Sequence, residues 1–300
     1  MEMRKRKIGK AGVAMALAFG MSASYATEGG GSTYAAGADN YLMGAVPPPG
    51  LYVLEFGNFY TADQLKDANG NNAPIPNFKV QAVVAATRVV WSTPLQLLGG
   101  NLVVHSIFPL VNLTVKAGGA SQTKTGLGDI TFGPGLVHHY SEHLHDVIGF
   151  DLVAPTGGYR LGDLTNIGRN YWSIQPLYTM SYVDPSGFNG DFKATLNINQ
   201  KNTATNYKSG TEFILDYAAG YAVAPGWVAG VSGYWYQQLS SDTQGGATVP
   251  DSKGRGFAIG PSVKFDNGKG WFLTAKVQKE FAERNRTQGT AVWLKTRIMF

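Results

Sequence analysis

The chain has 300 residues, 39 glycines, 12% aromatic residues, no cysteine and a formal net charge of +5. The lack of cysteine excludes a disulfide or thiolate–metal framework, and a glycine- and aromatic-rich composition at a mean hydropathy of −0.11 argues against a leucine-rich helical bundle. Five of the 25 basic and one of the 20 acidic residues fall in the first ten positions; the rest carries 20 against 19, a net of +1, which removes the hint of nucleic-acid binding.

Residues 1–26 read as a cleaved signal peptide. Arg4, Lys5, Arg6, Lys7 and Lys10 precede an apolar run from Ala11 to Met21, too short to span a bilayer as a helix, and Ser24 and Ala26 suit cleavage after Ala26. Residues 27–50 form a tail rather than a strand: Glu28-Gly29-Gly30-Gly31-Ser32 is flexible, and Pro47-Pro48-Pro49-Gly50 is a stiff polyproline spacer. A loose tail has little use for Tyr34, Tyr41, Leu42 and Met43, so the segment is expected to dock, as a plug, inside the body formed by the remainder of the chain.

Residues 51–300 contain twelve strand-like segments, most with one apolar alternate set. Phe192, Ala194, Leu196 and Ile198 oppose Asp191, Lys193, Thr195 and Asn197; Trp271, Leu273, Ala275 and Val277 oppose Phe272, Thr274, Lys276 and Gln278. Connections alternate in length, with short joints such as Pro225-Gly226 and Asp266-Asn267-Gly268 between longer polar stretches, 61–77, 116–126, 155–168, 199–210, 239–253 and 282–289. An antiparallel transmembrane β-barrel of the bacterial outer membrane sorts its connections this way; a soluble sandwich has no reason to. Trp91, Trp227 and Trp271, at strand ends beside short joints, suit a periplasmic aromatic girdle. The last segment, Ala291 to Phe300, alternates in the same manner and ends on an aromatic, the form of strand expected to engage barrel-assembly machinery.

These residues carry a resemblance. Glu28-Gly29-Gly30, Gly44-Ala45-Val46-Pro47-Pro48-Pro49-Gly50, Gly126-Leu127-Gly128-Asp129, Pro155-Thr156-Gly157-Gly158-Tyr159, Asn170-Tyr171-Trp172 and Gly260-Pro261 resemble the outer-membrane channel family of phenol meta-pathway degradation proteins, which includes sphingosine-uptake channels. The resemblance implies a monomeric twelve-stranded barrel whose amino-terminal segment occludes the lumen. It also implies uptake of hydrophobic small molecules, aromatic hydrocarbons or long-chain lipids, beside biodegradation genes.

A greasy solute needs an apolar route past lipopolysaccharide and outer-membrane lipid. Pro109, Pro134, Pro176 and Pro261 interrupt strand-like runs, each removing a ladder N–H, and mark candidate positions for a lateral opening, with Pro109 and Pro134 on consecutive strands expected to kink or part. The phase opposite the lipid face places Glu55, Lys79, Asp129, Asp151, Asp191, Lys193, Glu212, Asp216, Lys264, Lys276, Glu280, Lys295 and Arg297 in the lumen, with Tyr171, Tyr234, Tyr236, Phe272 and Trp293. Mixed signs argue against strong ion selectivity. The aromatics either form a slide for solutes or pack against the docked tail.

Four imidazoles gather around one turn, His138, His139, His143 and His145, with Glu142; strand alternation separates His138 from His139 and no zinc spacing results, so neither metal nor cofactor is expected. No G-x-S-x-G occurs, which leaves an outer-membrane lipid hydrolase the weaker alternative to a channel; a narrow diffusion porin for small polar solutes is the other.

Overall fold

The computed structural model describes residues 27–299; the expected leader and the terminal Phe300 lie outside the described residues. Alternation of polar and apolar side chains over eight to nineteen residues is satisfied only by extended backbone, and twelve wall strands result: β1 (Gly50–Leu65), β2 (Lys79–Leu97), β3 (Gly100–Ala117), β4 (Ala120–Leu127 and, after a break, Ile130–His139), β5 (Leu144–Ala154) and β6 (Ser173–Val183). They continue as β7 (Phe188–Asn199), β8 (Glu212–Ala224), β9 (Trp227–Gln238), β10 (Arg255–Asp266), β11 (Phe272–Arg284) and β12 (Thr287–Ile298). Each strand pairs antiparallel with its neighbours in sequence, and β1 closes on β12, from Val53 opposite Ile298 to Leu65 opposite Thr287. Closure leaves no free edge along that seam, as spanning a bilayer requires.

Burial is inverted relative to a soluble protein. Along β7, Asn189, Asp191, Lys193, Thr195, Asn197 and Asn199 are buried, while Phe188, Leu196 and Ile198 are exposed. The outward apolar belt continues through Phe108, Leu110, Ile148, Trp235, Val277 and Leu294. Such a surface is stable only against hydrocarbon, which makes this an outer-membrane barrel.

Turns of two to five residues close one end, for instance Ala224 to Trp227 and Asp266 to Phe272, and by the usual polarity of such barrels this end is periplasmic. The girdle there includes Trp227, Phe265 and Trp271, whose rings pack in series at centroid distances of 4.8 and 5.9 Å. At the outer end, two of the polar stretches expected as loops are mostly strand: 116–126 and 282–289 belong to hairpins. Their polarity marks immersion in water, not loss of strand pairing.

β4 is where the wall departs from regularity. Its outer half pairs with β3 from Leu110–Leu127 to Ala117–Ala120, and its inner half pairs with β3 on one side and β5 on the other. Between them, at Gly128-Asp129, the register against β3 slips by one residue opposite Pro109, a β-bulge closed by a 2.8 Å bond from the Gly128 N–H to the Pro109 carbonyl. β5 ends at Ala154, opposite Ile130, so the outer half of β4 has no strand on its second edge.

Candidate functional site: the lumen

Residues 27–49 descend the lumen from the outer loops to the periplasmic start of β1, and the order of their partners traces the path. The Thr27 nitrogen contacts Asp242 and the Glu28 N–H donates to Ser209, both in outer loops. Lower down, the Ser32 hydroxyl donates to Glu212 (3.0 Å) and Thr33 to Asn197 (3.0 Å); the Tyr34 hydroxyl and the Gly37 N–H (2.7 Å) both donate to Asp216. Lys193 pairs with Asp39 at 3.1 Å, Lys276 donates to the Asp39 carbonyl at 2.7 Å and Lys295 to the Tyr41 carbonyl at 2.8 Å. The Met43 N–H reaches Asp191 (3.0 Å) and the Gly44 N–H Ser181 (2.7 Å) before Pro47 to Pro49 lead into β1. Tyr41 is wholly buried, bonded to Ser262 and packed on Ala218 and Val228. The lumen charges therefore serve as sockets for a polar backbone that has no sheet of its own, which is what buried charges need.

All these wall partners lie on β6 to β12. Facing β1 to β5, the segment makes mainly apolar contact, Val46 on Val103, Val137 and Val147, and space remains on that side. A lower cavity of about 250 Å³ is bordered by Leu42, Met43, Pro47, Tyr52, Leu54, Val90, Pro134, Leu177, Phe272 and Arg297. An upper cavity of about 150 Å³ is bordered by Tyr34, Phe56, Val84, Ile107, Pro109, Asp129, Thr131 and Trp293. Asp39, Arg88, Asp151 and Lys193 border both, so the two are separated by a charged neck. There Asp151 is bonded to His105 at 2.8 Å and Lys193 to Asp39, whereas Arg88, which borders both cavities, forms no hydrogen bond or ion pair among the described residues, and its Nε is buried without a partner.

The predicted lumen residues separate by this division. Asp191, Lys193, Glu212, Asp216, Lys276 and Lys295 hold the segment or the network behind it, with Glu212 also accepting from Asn197, Asn199 and the Tyr236 hydroxyl. Lys264 donates to Asn189 at 3.0 Å, and Glu280 accepts from Tyr60, Tyr234 and the Gly289 N–H. Tyr234 and Tyr236 are buried behind the tail, so they pack and do not line a path; Phe272 and Trp293 do border the cavities. Tyr171 lies among the outer loops, near Ser209. Arg297 borders the lower cavity, 5.2 Å over the Tyr52 ring.

Glu55 corrects the expectation. It shares the outward phase of Leu51 and Phe59, opposite Thr87 and Thr296, and accepts a 2.7 Å bond from the Thr87 hydroxyl on the outer surface. Both phases of β1 are apolar, so its own alternation could not say which way the one carboxylate points; Tyr52, Leu54 and Phe56 take the cavity side. Lys79, in the phase of Val83 and Thr87, is outward as well, at the outer end of β2. Arg88 and Asp39, central to the neck, escaped the sequence reading; an arginine inside the run Ala85 to Val90 was the available signal.

The prolines divide too. Pro134, Pro176 and Pro261 keep the ladder on one side, opposite Val104, Phe150 and Val231, and leave it unbonded for two residues on the other, without a change of register. At Pro134 the seam stays shut, because Gly133 and Gly149 let the strands touch: a Cβ at Gly133 would collide with the Phe150 carbonyl. Of the two outcomes expected for β3 and β4, to kink or to part, only a kink is present at Pro109, since the strands pair on both sides of the bulge. The incomplete junction is instead between β4 and β5, one seam over. Loop 155–172 covers it through side chains: Asp129 accepts the N–H groups of Gly157 (2.9 Å) and Arg169 (2.8 Å), Lys124 pairs with Asp163, and the Thr165 hydroxyl donates to the Gln122 carbonyl.

At the histidine turn, His138 bonds to Asp146, which also accepts from Tyr140 and Tyr178, His139 bonds to His145, and His143 to the Val183 carbonyl. Among the described residues no group of three or more histidines and carboxylates could hold a metal.

A family model described as "Putative MetA-pathway of phenol degradation" matches residues 62–296. Among solved structures, the chain is similar to an outer membrane channel from Pseudomonas putida F1, at TM-score 0.72 and 17% identity over 86% of this chain and 97% of that one. Looser overlaps join it to the β domain of the Bordetella autotransporter BrkA (TM-score 0.49, 13% identity, 85% of this chain and 100% of that one) and to the CymD monoaromatic hydrocarbon channel (TM-score 0.44, 10% identity, 85% and 89%), too distant to carry an argument. Comparison with curated proteins gives no match. With the family match running from β1 to β12 over most of its length, the chain belongs to the family of the MetA pathway of phenol degradation.

Proposed function

We propose that the protein is an outer-membrane channel for passive uptake of hydrophobic small molecules of about single-ring size, with residues 27–49 as its plug. The observation that carries this reading is the one-sided filling of the lumen. The segment bonds to β6–β12 and leaves two largely apolar cavities along β1–β5, beside the incomplete junction. An apolar cavity of about 150 Å³ is large enough to take up benzene, so both cavities suit a monoaromatic. Arg88 adds a donor for an oxygen substituent at the neck, and the family description favours phenolic compounds. A narrow porin for polar solutes is the poorer fit, because the segment occupies the polar side of the lumen.

The solute enters from the outer leaflet between β4 and β5, through the gap above the Pro109 bulge that loop 155–172 covers, and the Asp129 clasp gates it. It then passes the upper cavity, the neck and the lower cavity toward the periplasm. Uptake of a labelled phenol is expected to fall in a strain lacking the gene and to return with the intact gene; Asp129→Ala is expected to raise it, since a charge-assisted bond lost from the clasp is worth about 1.5–3 kcal/mol. Equal uptake with and without the gene would end the channel reading, and no effect of Asp129→Ala the lateral route.

A further inference from the structure

Thr27 is 1% exposed and has a backbone φ of 82°. For a β-branched residue that is a strained conformation as long as a peptide bond joins it to residue 26. In a chain that begins at Thr27 there is no preceding carbonyl, so the torsion no longer exists and neither does the strain. The Thr27 nitrogen lies 3.1 Å from Asp242 Oδ2.

Asp242 is a built socket between β9 and β10, with no solvent exposure. Its carboxylate accepts the Gly210 N–H (2.7 Å), the Gln238 amide (2.6 Å) and the Tyr207 hydroxyl, and its own N–H is held by Ser252 (2.9 Å). Every one of these donors is neutral, and none of the ion pairs among the described residues involves Asp242. Burial accordingly pushes its carboxyl above the ordinary range. A buried carboxylate without a cation is one charge short of balance.

We propose that Asp242 is the receptor for the α-ammonium of the processed chain: cleavage after Ala26 places a positive charge on the Thr27 nitrogen, and that charge latches the N-terminal segment at the outer mouth. The step is a hydrolysis by a signal peptidase. Water adds across the Ala26–Thr27 bond, the carbonyl carbon leaves as the Ala26 carboxylate, and the nitrogen becomes an amine that takes a proton near neutral pH, its pKa being about 8. The ion pair ties the upper end of a segment whose lower end is covalently fixed at Pro47-Pro48-Pro49-Gly50. Processing thereby precedes docking, because a leader still attached to Thr27 would have to leave from a buried site at the far end of the barrel. The latch depends on where the segment lies and not on what the channel carries.

The test uses the mature protein extracted from outer membranes in detergent. Intact mass is expected to give Thr27 as the first residue. Carbamylation of the α-amine by cyanate is expected to run at least about tenfold slower in the folded protein than in the unfolded chain, equivalent to about 1.4 kcal/mol of protection, and Asp242→Asn is expected to abolish that protection. A different first residue, or equal reactivity of folded wild type and Asp242→Asn, overturns the proposal. If Asp242→Asn does not fold, by heat-modifiable migration on gels, the deciding variant inserts one alanine between Ala26 and Thr27. It displaces the ammonium from the socket: a reactive amine on a folded barrel supports the latch, and an amine still protected overturns it.

Discussion

The two halves of the lumen solve opposite problems. Along β6–β12, buried charges and amides meet a buried backbone segment, and nearly every socket is filled: Asp216 by Tyr34 and Gly37, Asp191 by Met43, Lys276 and Lys295 by carbonyls. Along β1–β5, the inward face is mainly Leu54, Phe56, Val84, Val90, Val103 and Ile107, interrupted at the neck by Arg88, His105 and Asp151; contact with the segment is mostly apolar, and cavities remain. Polar groups buried in a barrel bind each other tightly and fix one arrangement, whereas apolar surface tolerates an empty space that a solute can occupy. The same barrel thus holds its own N-terminal segment on one side and retains two cavities on the other.

Removing the filled half should have the largest effect. Deletion of residues 27–46 with the leader retained is expected to raise single-channel conductance in planar bilayers by an order of magnitude or more; an unchanged conductance would mean that the segment does not obstruct the lumen. Weakening a socket is the next step. Glu212→Ala removes the acceptor of Ser32, Asn197, Asn199 and Tyr236, and leaving buried donors unpaired is expected to cost about 3–5 kcal/mol of stability. Urea unfolding in detergent, followed by tryptophan fluorescence, measures it; a loss below about 1 kcal/mol would show that the network is solvated.

On the open half, Gly133→Val drives a side chain into the Phe150 carbonyl at the closed seam, and overpacking of this kind costs about 1–3 kcal/mol. A lower temperature for loss of the folded band on gels is the expected result, and an unchanged one would show that β4 and β5 can separate at Pro134. Finest of all, Arg88→Leu removes the free donor at the neck. Uptake of phenol is expected to fall up to about tenfold relative to toluene, as one hydrogen bond of about 1–1.5 kcal/mol allows. Equal changes for both solutes would leave Arg88 without a role in selection.

Much of this architecture was legible in the residues alone. A period of two is a local property, and a bilayer outside with water inside assigns each phase of a strand such as β7 or β11 to a face without further information. Alternating connection lengths told the two ends apart. Where both phases are apolar the rule has nothing to act on, and β1 carries Glu55 outward for that reason.

What tertiary structure alone decided are the contacts between residues far apart in the chain. That the N-terminal segment spans the lumen, that its bonds favour β6–β12, that Tyr234 and Tyr236 lie behind it, that the wall is incomplete between β4 and β5, and that Thr27 meets Asp242 across 215 positions all depend on ring closure. Alternation says which way a side chain points. Only the closed barrel, by bringing opposite walls together around the segment, determines what each side chain meets there.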